Sequence, residues 1–137
     1  FRSFHPGGQL GARLARVRQL MHGEGSIPLV HLDTPMPEAI LIMTRFGFGV
    51  TGVLDSAGIL VGVISDGDLR RHMDGLMTRS AGQVATRSPI TVAPDQAAAE
   101  AVALMNDRKI HALFVIDESR KPLGILRLHD CLRAGVV

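Results

Sequence analysis

Ser65-x-x-Asp68 puts a hydroxyl and a carboxylate where an apolar run gives way to a helical pattern. Such a pair can cap the helix, with serine at the N-cap and an acidic residue three positions on. It can also meet a nucleotide. A hydroxyl and the N–H groups of a helix start suit phosphate, and a carboxylate can accept from both ribose hydroxyls. Taken alone, the string favours capping. A second copy shifts the balance, because Asp130 recurs 62 residues after Asp68 while Arg127 stands where the serine was. An arginine side chain cannot N-cap, so capping does not explain the second aspartate. Arg127 can instead hold a phosphate or carboxylate through two parallel N–H bonds. The two sites therefore need not take the same ligand.

Other strings carry less chemistry. Gly47-Phe48-Gly49-Val50-Thr51-Gly52 fits G-x-G-x-x-G, but a dinucleotide fingerprint needs a strand before it and a helix after it. Here a helical pattern precedes and a strand pattern follows. The histidines (His5, His22, His31, His72, His111, His129) include no HExxH and no i, i+4 pair, so no metal site is expected. His129-Asp130-Cys131 imitates a triad only along the chain, since successive helical residues point in different directions. Cys131 is the only cysteine, which excludes an intrachain disulfide, a Cys-based zinc site and a CxxC centre. It aligns with Leu69 in the repeat described next and reads as a small buried apolar residue. Arg70, Arg71 and Arg133 read as solvated; lining a cleft, they could assist anion binding.

The elements that position these residues come in duplicate. Gly62-Val63-Ile64-Ser65-Asp66-Gly67-Asp68-Leu69-Arg70-Arg71 aligns with Gly124-Ile125-Leu126-Arg127-Leu128-His129-Asp130-Cys131-Leu132-Arg133, an offset of 124 − 62 = 62. Without gaps, the same offset pairs Ser26 with Ser88, Val30 with Val92, Glu38 with Glu100, Met43 with Met105 and Val53 with Val115. Each copy reads as a short strand (Pro28 to Leu32; Ile90 to Val92), a start signal (Asp33-Thr34-Pro35; Pro94-Asp95) and a helix. A hairpin (Val50 to Leu54 with Ile59 to Ile64; Ala112 to Ile116 with Leu123 to Leu126) and a second short helix follow. The expectation is an α/β (α+β) fold: two β-α-β-β-α repeats packed with pseudo-two-fold symmetry. Gly75, Thr78, Ser80 and Gly82 mark 74–87 as a linker. Leu10, Leu14, Val17 and Met21 form an amphipathic stripe expected to be a connector helix.

Composition narrows the functional classes. The chain has 137 residues and a net charge of +2, too small to argue for a nucleic-acid groove or a polybasic membrane patch. Trp and Tyr are absent, so bases have few stacking platforms. No apolar run reaches the ~18 residues of a membrane span and no signal peptide is evident. A cytoplasmic protein without nucleic-acid or membrane partners is expected. The chain opens on Phe1 rather than Met, which suggests part of a longer protein.

A tandem β-α-β-β-α unit ending G-h-h-[S/T]-x-x-D resembles the CBS domain pair, or Bateman module. The flanks, His5-Pro6-Gly7-Gly8-x-Leu10-Gly11, Leu20-Met21-His22 and the ending Leu128 to Val137, are similar to D-arabinose 5-phosphate isomerases of the KpsF/GutQ family. That family interconverts ribulose 5-phosphate and arabinose 5-phosphate, the entry to Kdo and lipopolysaccharide synthesis. The resemblance implies residues 1–20 as the end of a sugar isomerase (SIS) domain and a connector, 21–73 and 88–137 as the CBS repeats, and 74–87 as linker. It implies a ligand-binding regulatory role, with Ser65 and Asp68 at the phosphate and ribose positions of one cleft and Asp130 at the ribose position of the other. Val50, Thr51 and Gly52, and Ala112, Leu113 and Phe114, match the base-lining strands. Arg127 departs from the pattern. No cofactor is required by this reading; an adenine nucleotide or CMP-Kdo is the implied regulatory ligand, and CMP-Kdo would offer Arg127 a carboxylate. A homodimer through CBS pairs is implied, and a module that only assembles subunits is the alternative. His5 matches a histidine associated with the isomerase site, but 137 residues with two lysines hold no sugar-phosphate pocket, so no isomerase activity is expected here.

Overall fold

The computed structural model describes residues 14–136. In chain order its elements are α1 (Val17–Leu20), β1 (Leu29–His31), α2 (Met36–Phe46), β2 (Val50–Leu54), β3 (Leu60–Ser65), α3 (Asp66–Arg71), α4 (Ala81–Val84), β4 (Thr86–Arg87), β5 (Thr91–Val92), α5 (Ala98–Arg108), β6 (Ala112–Ile116), β7 (Pro122–Arg127) and α6 (Leu128–Arg133). A 3₁₀ turn at Leu76–Thr78 precedes α4. The β-α-β-β-α order is present twice, as expected. The chain divides into two compact units, one of residues 26–89 with 119–121, the other of the described residues up to Gly25 with 90–118 and 122–136.

In the first unit the sheet order is β1-β2-β3-β4, with β1 parallel to β2 and the remaining pairs antiparallel. Strand β2 is buried along its centre because it has a neighbour on each side and α2 above it. Helix α2 turns Met36, Ala39 and Met43 inward at helical spacing, onto Val30, Val53, Ile64, Leu76, Ala81 and Val84. It stops at Gly47, whose φ of 70° lets its N–H reach back to the Met43 carbonyl. That glycine ends a helix and a strand follows, the order that excludes a dinucleotide fingerprint.

The second unit repeats this design with the order β5-β6-β7. Helix α5 buries Ala98, Ala101, Val102 and Met105 against Leu113, Val115, Leu126 and Cys131. Both helices begin after the expected start signals. Their N-caps are Pro35 and Ala97, not Asp33 or Asp95, and neither cap makes a side-chain bond.

The reason lies in two segments whose composition was misleading. Residues 76–87 are not an open linker: α4 and β4 pack on the first unit, with Ala81 and Val84 in its core. The described part of the expected connector helix is a single turn, α1, which packs on the second unit with Val17 and Leu20 buried; of the expected stripe, Leu14 lies before this turn and is exposed, Met21 caps its end, and Leu10 lies outside the described residues. The two segments dock alike. Met36 N–H donates to the Arg79 carbonyl and Ala98 N–H to the Ala15 carbonyl, at 3.0 and 2.9 Å. Ala81 N–H reaches the Thr34 carbonyl as Val17 N–H reaches that of Gln96; Gly82 bonds to Leu32 as Arg18 bonds to Pro94. Bridges Pro35–Ser80 and Arg16–Ala97 complete the correspondence. The helix-start N–H groups are thus satisfied by a docked chain instead of a local cap.

Candidate functional site

Each docked segment ends beside one of the two aspartates. In the first unit Thr86 follows α4 and pairs with Val63 on β3. In the second, His22 follows α1 and exchanges both backbone bonds with Ile125 on β7, at 2.8 and 2.9 Å. Gly62 and Gly124 make this approach possible. A Cβ on Gly62 would stand 3.0 Å from the Thr86 carbonyl oxygen; one on Gly124 would stand 2.6 Å from that of His22. The glycine of each repeat motif is therefore explained by a backbone passing over it.

Asp68 is 2% exposed, and its carboxylate is fully engaged. Oδ2 accepts from the Ser65 N–H at 2.9 Å and the Ser65 hydroxyl at 3.0 Å. Oδ1 accepts from Arg71 and from the Thr86 hydroxyl, both at 2.6 Å. Burial works against its ionisation, but the bonds from Thr86, the Ser65 N–H, Arg71 and the Ser65 hydroxyl outweigh it and hold the carboxyl below its usual range. Four donors match roughly the four lone-pair positions of a carboxylate. Ser65 and Asp68 thus form the capping box that one reading of the string expected, reinforced by Thr86.

Asp130 is held differently. Arg127 donates Nε to Oδ2 at 3.0 Å and a terminal nitrogen to Oδ1 at 3.1 Å. His22 Nε2 lies 2.6 Å from Oδ2. Burial again opposes ionisation; the Arg127 and His22 bonds, with the charges of both groups, hold the carboxyl low. An ionised carboxylate only accepts, so Nε2 carries the shared proton. The Arg127 fork, expected to meet a ligand anion, closes on Asp130 of its own chain. Asp130 nevertheless keeps one acceptor position on Oδ1, and its side chain is 17% exposed against 3% for Asp68. Beside it the Cys131 thiol is buried, and burial with the Asp130 charge pushes it up to about 11.

The other expected residues fall where the repeat requires. Val50 is the register partner of Ser65, and Ala112 of Arg127, so each candidate base strand begins opposite its motif. Thr51 and Gly52 are buried, and the Thr51 hydroxyl donates to the Gly52 carbonyl at 3.2 Å. Leu113 and Phe114 are also buried. His5 lies outside the described residues. His22, Thr86 and Arg71 were not expected at the aspartates. The missed signal is a second offset, 64 residues, which relates Arg16-x-x-Gln19 to Ser80-x-x-Gln83 and His22 to Thr86. Among the described residues no group of three or more His, Cys, Asp or Glu could hold a metal ion.

The family model described as "CBS domain" matches residues 17–75 and again 81–137. The chain is 49% identical to the arabinose 5-phosphate isomerase KdsD of Pseudomonas aeruginosa over 138 residues, covering 97% of this chain and 42% of that protein. It is 38% identical to the arabinose 5-phosphate isomerase GutQ of Salmonella typhi, over 100% of this chain and 44% of that one. The chain thus spans less than half the length of these relatives. A solved structure of CBSX2, a CBS-pair protein of Arabidopsis thaliana, in complex with AMP superposes with a TM-score of 0.76 at 26% identity, covering 88% of this chain and 95% of that one.

Proposed function

The chain belongs to the CBS domain family, and on that premise we propose that it is the ribonucleotide-binding regulatory part of a sugar-phosphate isomerase. The isomerase relatives support the second half of this reading: they align along nearly the whole chain and extend well beyond it. The parent reaction would be interconversion of ribulose 5-phosphate and arabinose 5-phosphate, carried by a SIS domain of the same polypeptide with His5 at its end. The module would act in the cytoplasm, as a homodimer through CBS pairs; no helix among the described residues is long and apolar enough to cross a membrane.

One observation carries the ligand-binding half: Asp130 is an ionised, partly exposed carboxylate with an acceptor position to spare. A ribose hydroxyl is a donor suited to it, and the AMP complex of CBSX2 supports an adenine nucleotide as the ligand. Ser65, Asp68, Arg127, Val50, Thr51, Gly52, Ala112, Leu113 and Phe114 complete the proposed sites. CMP-Kdo is the second candidate, its carboxylate competing with Asp130 for Arg127. Regulation requires a ligand that distinguishes two states of the parent enzyme.

The saturation of Asp68 favours a second reading for the first repeat, assembly without a ligand. Calorimetric titration with AMP, ATP, CMP and CMP-Kdo separates the two. Binding that is lost in Asp130→Ala is the expected result. A chain that stays dimeric in sedimentation and binds none of them at millimolar concentration is an assembly module.

A further inference from the structure

The two aspartates do more than face a ligand; each clasps the segment that enters its repeat. In the second unit that segment comes from the N-terminal side of the described chain and is held through α1 and His22. Four kinds of contact hold it. Val17 and Leu20 are buried, Ala15 and Val17 bond to the start of α5, Arg18 pairs with Asp95, and His22 joins β7 by its backbone and Asp130 by its ring. Only the last of these touches a group that a ligand would also need.

The geometry of Asp130 makes that need a conflict. A ribose diol that engages the carboxylate through both of its oxygens takes one acceptor position on each. Oδ1 has one position left beside Arg127, but Oδ2 is filled by Arg127 Nε and His22 Nε2. One donor must leave. Of the bonds to Asp130, displacing Arg127 breaks two, a charge-assisted fork closed across three residues, whereas displacing His22 breaks one. The His22 side chain is 36% exposed, so its ring can exchange Asp130 for water. The first unit has no such release, because all four donors to Asp68 crowd a carboxylate that is almost fully buried.

We propose that His22 is a latch that competes with the ribose diol for Asp130, so that ligand binding at the second repeat loosens the segment entering it. The inference rests on the ribonucleotide-binding reading above. It assigns the two repeats different work: the first is a fixed clasp, the second a clasp that a diol can open. Linkage makes the effect reciprocal. What weakens the latch tightens the ligand, and the ligand weakens the latch by the same factor. The buried Val17 and Leu20 keep the segment on its unit, so the release is a loosening at His22 and not an undocking.

The test is nucleotide titration of the whole chain and of His22→Ala and His22→Gln, with AMP, ATP and CMP and with the 2′,3′-dideoxy form of whichever binds tightest. His22→Ala is expected to bind the ribonucleotide roughly 5-fold tighter or more, the lower edge of ordinary coupling. His22→Gln, which retains a donor at similar reach, should return affinity toward wild type. The dideoxynucleotide, lacking the diol, should not distinguish the three chains. In parallel, the ribonucleotide should speed amide exchange at His22 in the wild type without altering Thr86. Ribonucleotide binding that is unchanged by His22→Ala overturns the latch and leaves the binding reading intact. Binding to none of the chains overturns both, and equal tightening of ribo- and dideoxynucleotides overturns the competition for the diol.

Discussion

Replacing Gly124 by alanine is the sharpest probe of docking. The backbone there is not left-handed, so alanine is conformationally permitted and loses less entropy on folding, a gain of about 0.4–1 kcal/mol. Against that gain stands the new Cβ, 2.6 Å from the His22 carbonyl oxygen and 2.8 Å from the Met21 sulfur. The sulfur ends a flexible side chain and can swing away. The carbonyl cannot, since moving from 2.6 Å to an ordinary contact at 3.4 Å shifts an oxygen that accepts the Ile125 N–H at 2.9 Å. That bond leaves the roughly 2.7–3.2 Å range of an N–H···O bond. Ile125 is fully buried, and a buried N–H left without a partner costs about 1–3 kcal/mol. Residual overpacking adds a cost of about 1–3 kcal/mol, part of which is the same displacement. The net expectation is a loss of about 2–3 kcal/mol, or a Tm lower by roughly 8–12 °C at about 4 °C per kcal/mol. Gly62→Ala is the internal control. Its Cβ would meet the Thr86 carbonyl at 3.0 Å and Ala85 Cβ at 3.1 Å, so shifts of a few tenths of an ångström suffice, and its net cost should stay under about 1 kcal/mol. Urea denaturation and calorimetry give both numbers, and amide exchange at Ile125 reports the bond itself. Equal stabilities for the two variants, or a Gly124→Ala chain within about 0.5 kcal/mol of wild type, would refute the steric reasoning.

Three further outcomes follow from the aspartates and their neighbours. Both carboxyls titrate lower folded than unfolded, so below the usual carboxylate range the unfolded chain takes up protons first. Their stabilisation is therefore complete at neutral pH and lost as pH falls through the folded values. Denaturation from pH 7 to 3 should show this, and Asp68→Asn with Asp130→Asn should flatten the decline. Thr86→Val removes one charge-assisted bond to Asp68 at a solvent-exposed position and should cost about 1 kcal/mol in urea denaturation, with Thr86→Ser near wild type. A thiol buried and raised to about 11 should resist a disulfide reagent at pH 8 in the native chain and react at once in denaturant.

How much of this was legible depended on where each residue finds its partners. Strands β2 and β6 match their expected spans because their apolar runs and the flanking glycine and Asp turns are local signals. Asp55 Oδ1, for example, accepts the Ala57 and Ile59 N–H groups and closes the first hairpin by itself. The helices follow their start signals, but Asp33 and Asp95 do not cap them, because Met36 and Ala98 bond to carbonyls that arrive from elsewhere in the chain. Residues 74–87 read as linker for a related reason. Gly75, Thr78, Ser80 and Gly82 have linker composition, yet Gly82 N–H is bonded to Leu32 and Ala81 sits in the core. A gapless 62-residue register also hides the second docked segment. Four steps separate His22 from Ser26 but only two separate Thr86 from Ser88, which turns an offset of 62 into one of 64.

The same comparison explains why the aspartate recurs where the serine does not. Each carboxylate needs a cation and a donor from the docked segment, and the two repeats supply them differently. Asp68 takes its cation from Arg71, one turn on, and its docking bond from Thr86, which frees the preceding position for a small capping serine. Asp130 takes its cation from Arg127, three residues before it, and its docking bond from His22. Arg127 is thus a substitute for both Ser65 and Arg71 as a partner of the carboxylate. This makes the first clasp a sealed capping box and the second an ion-paired one with an oxygen still open. Exchanging Arg127 for serine would then not restore the first arrangement. It would leave Asp130 without the Arg127 fork, with the His22 bond remaining, and raise its titration toward the ordinary carboxylate value. Nuclear magnetic resonance titration of the Asp130 carboxyl in Arg127→Ser reads that shift directly; a carboxyl that stays as low as in wild type would mean that His22 alone supports the charge.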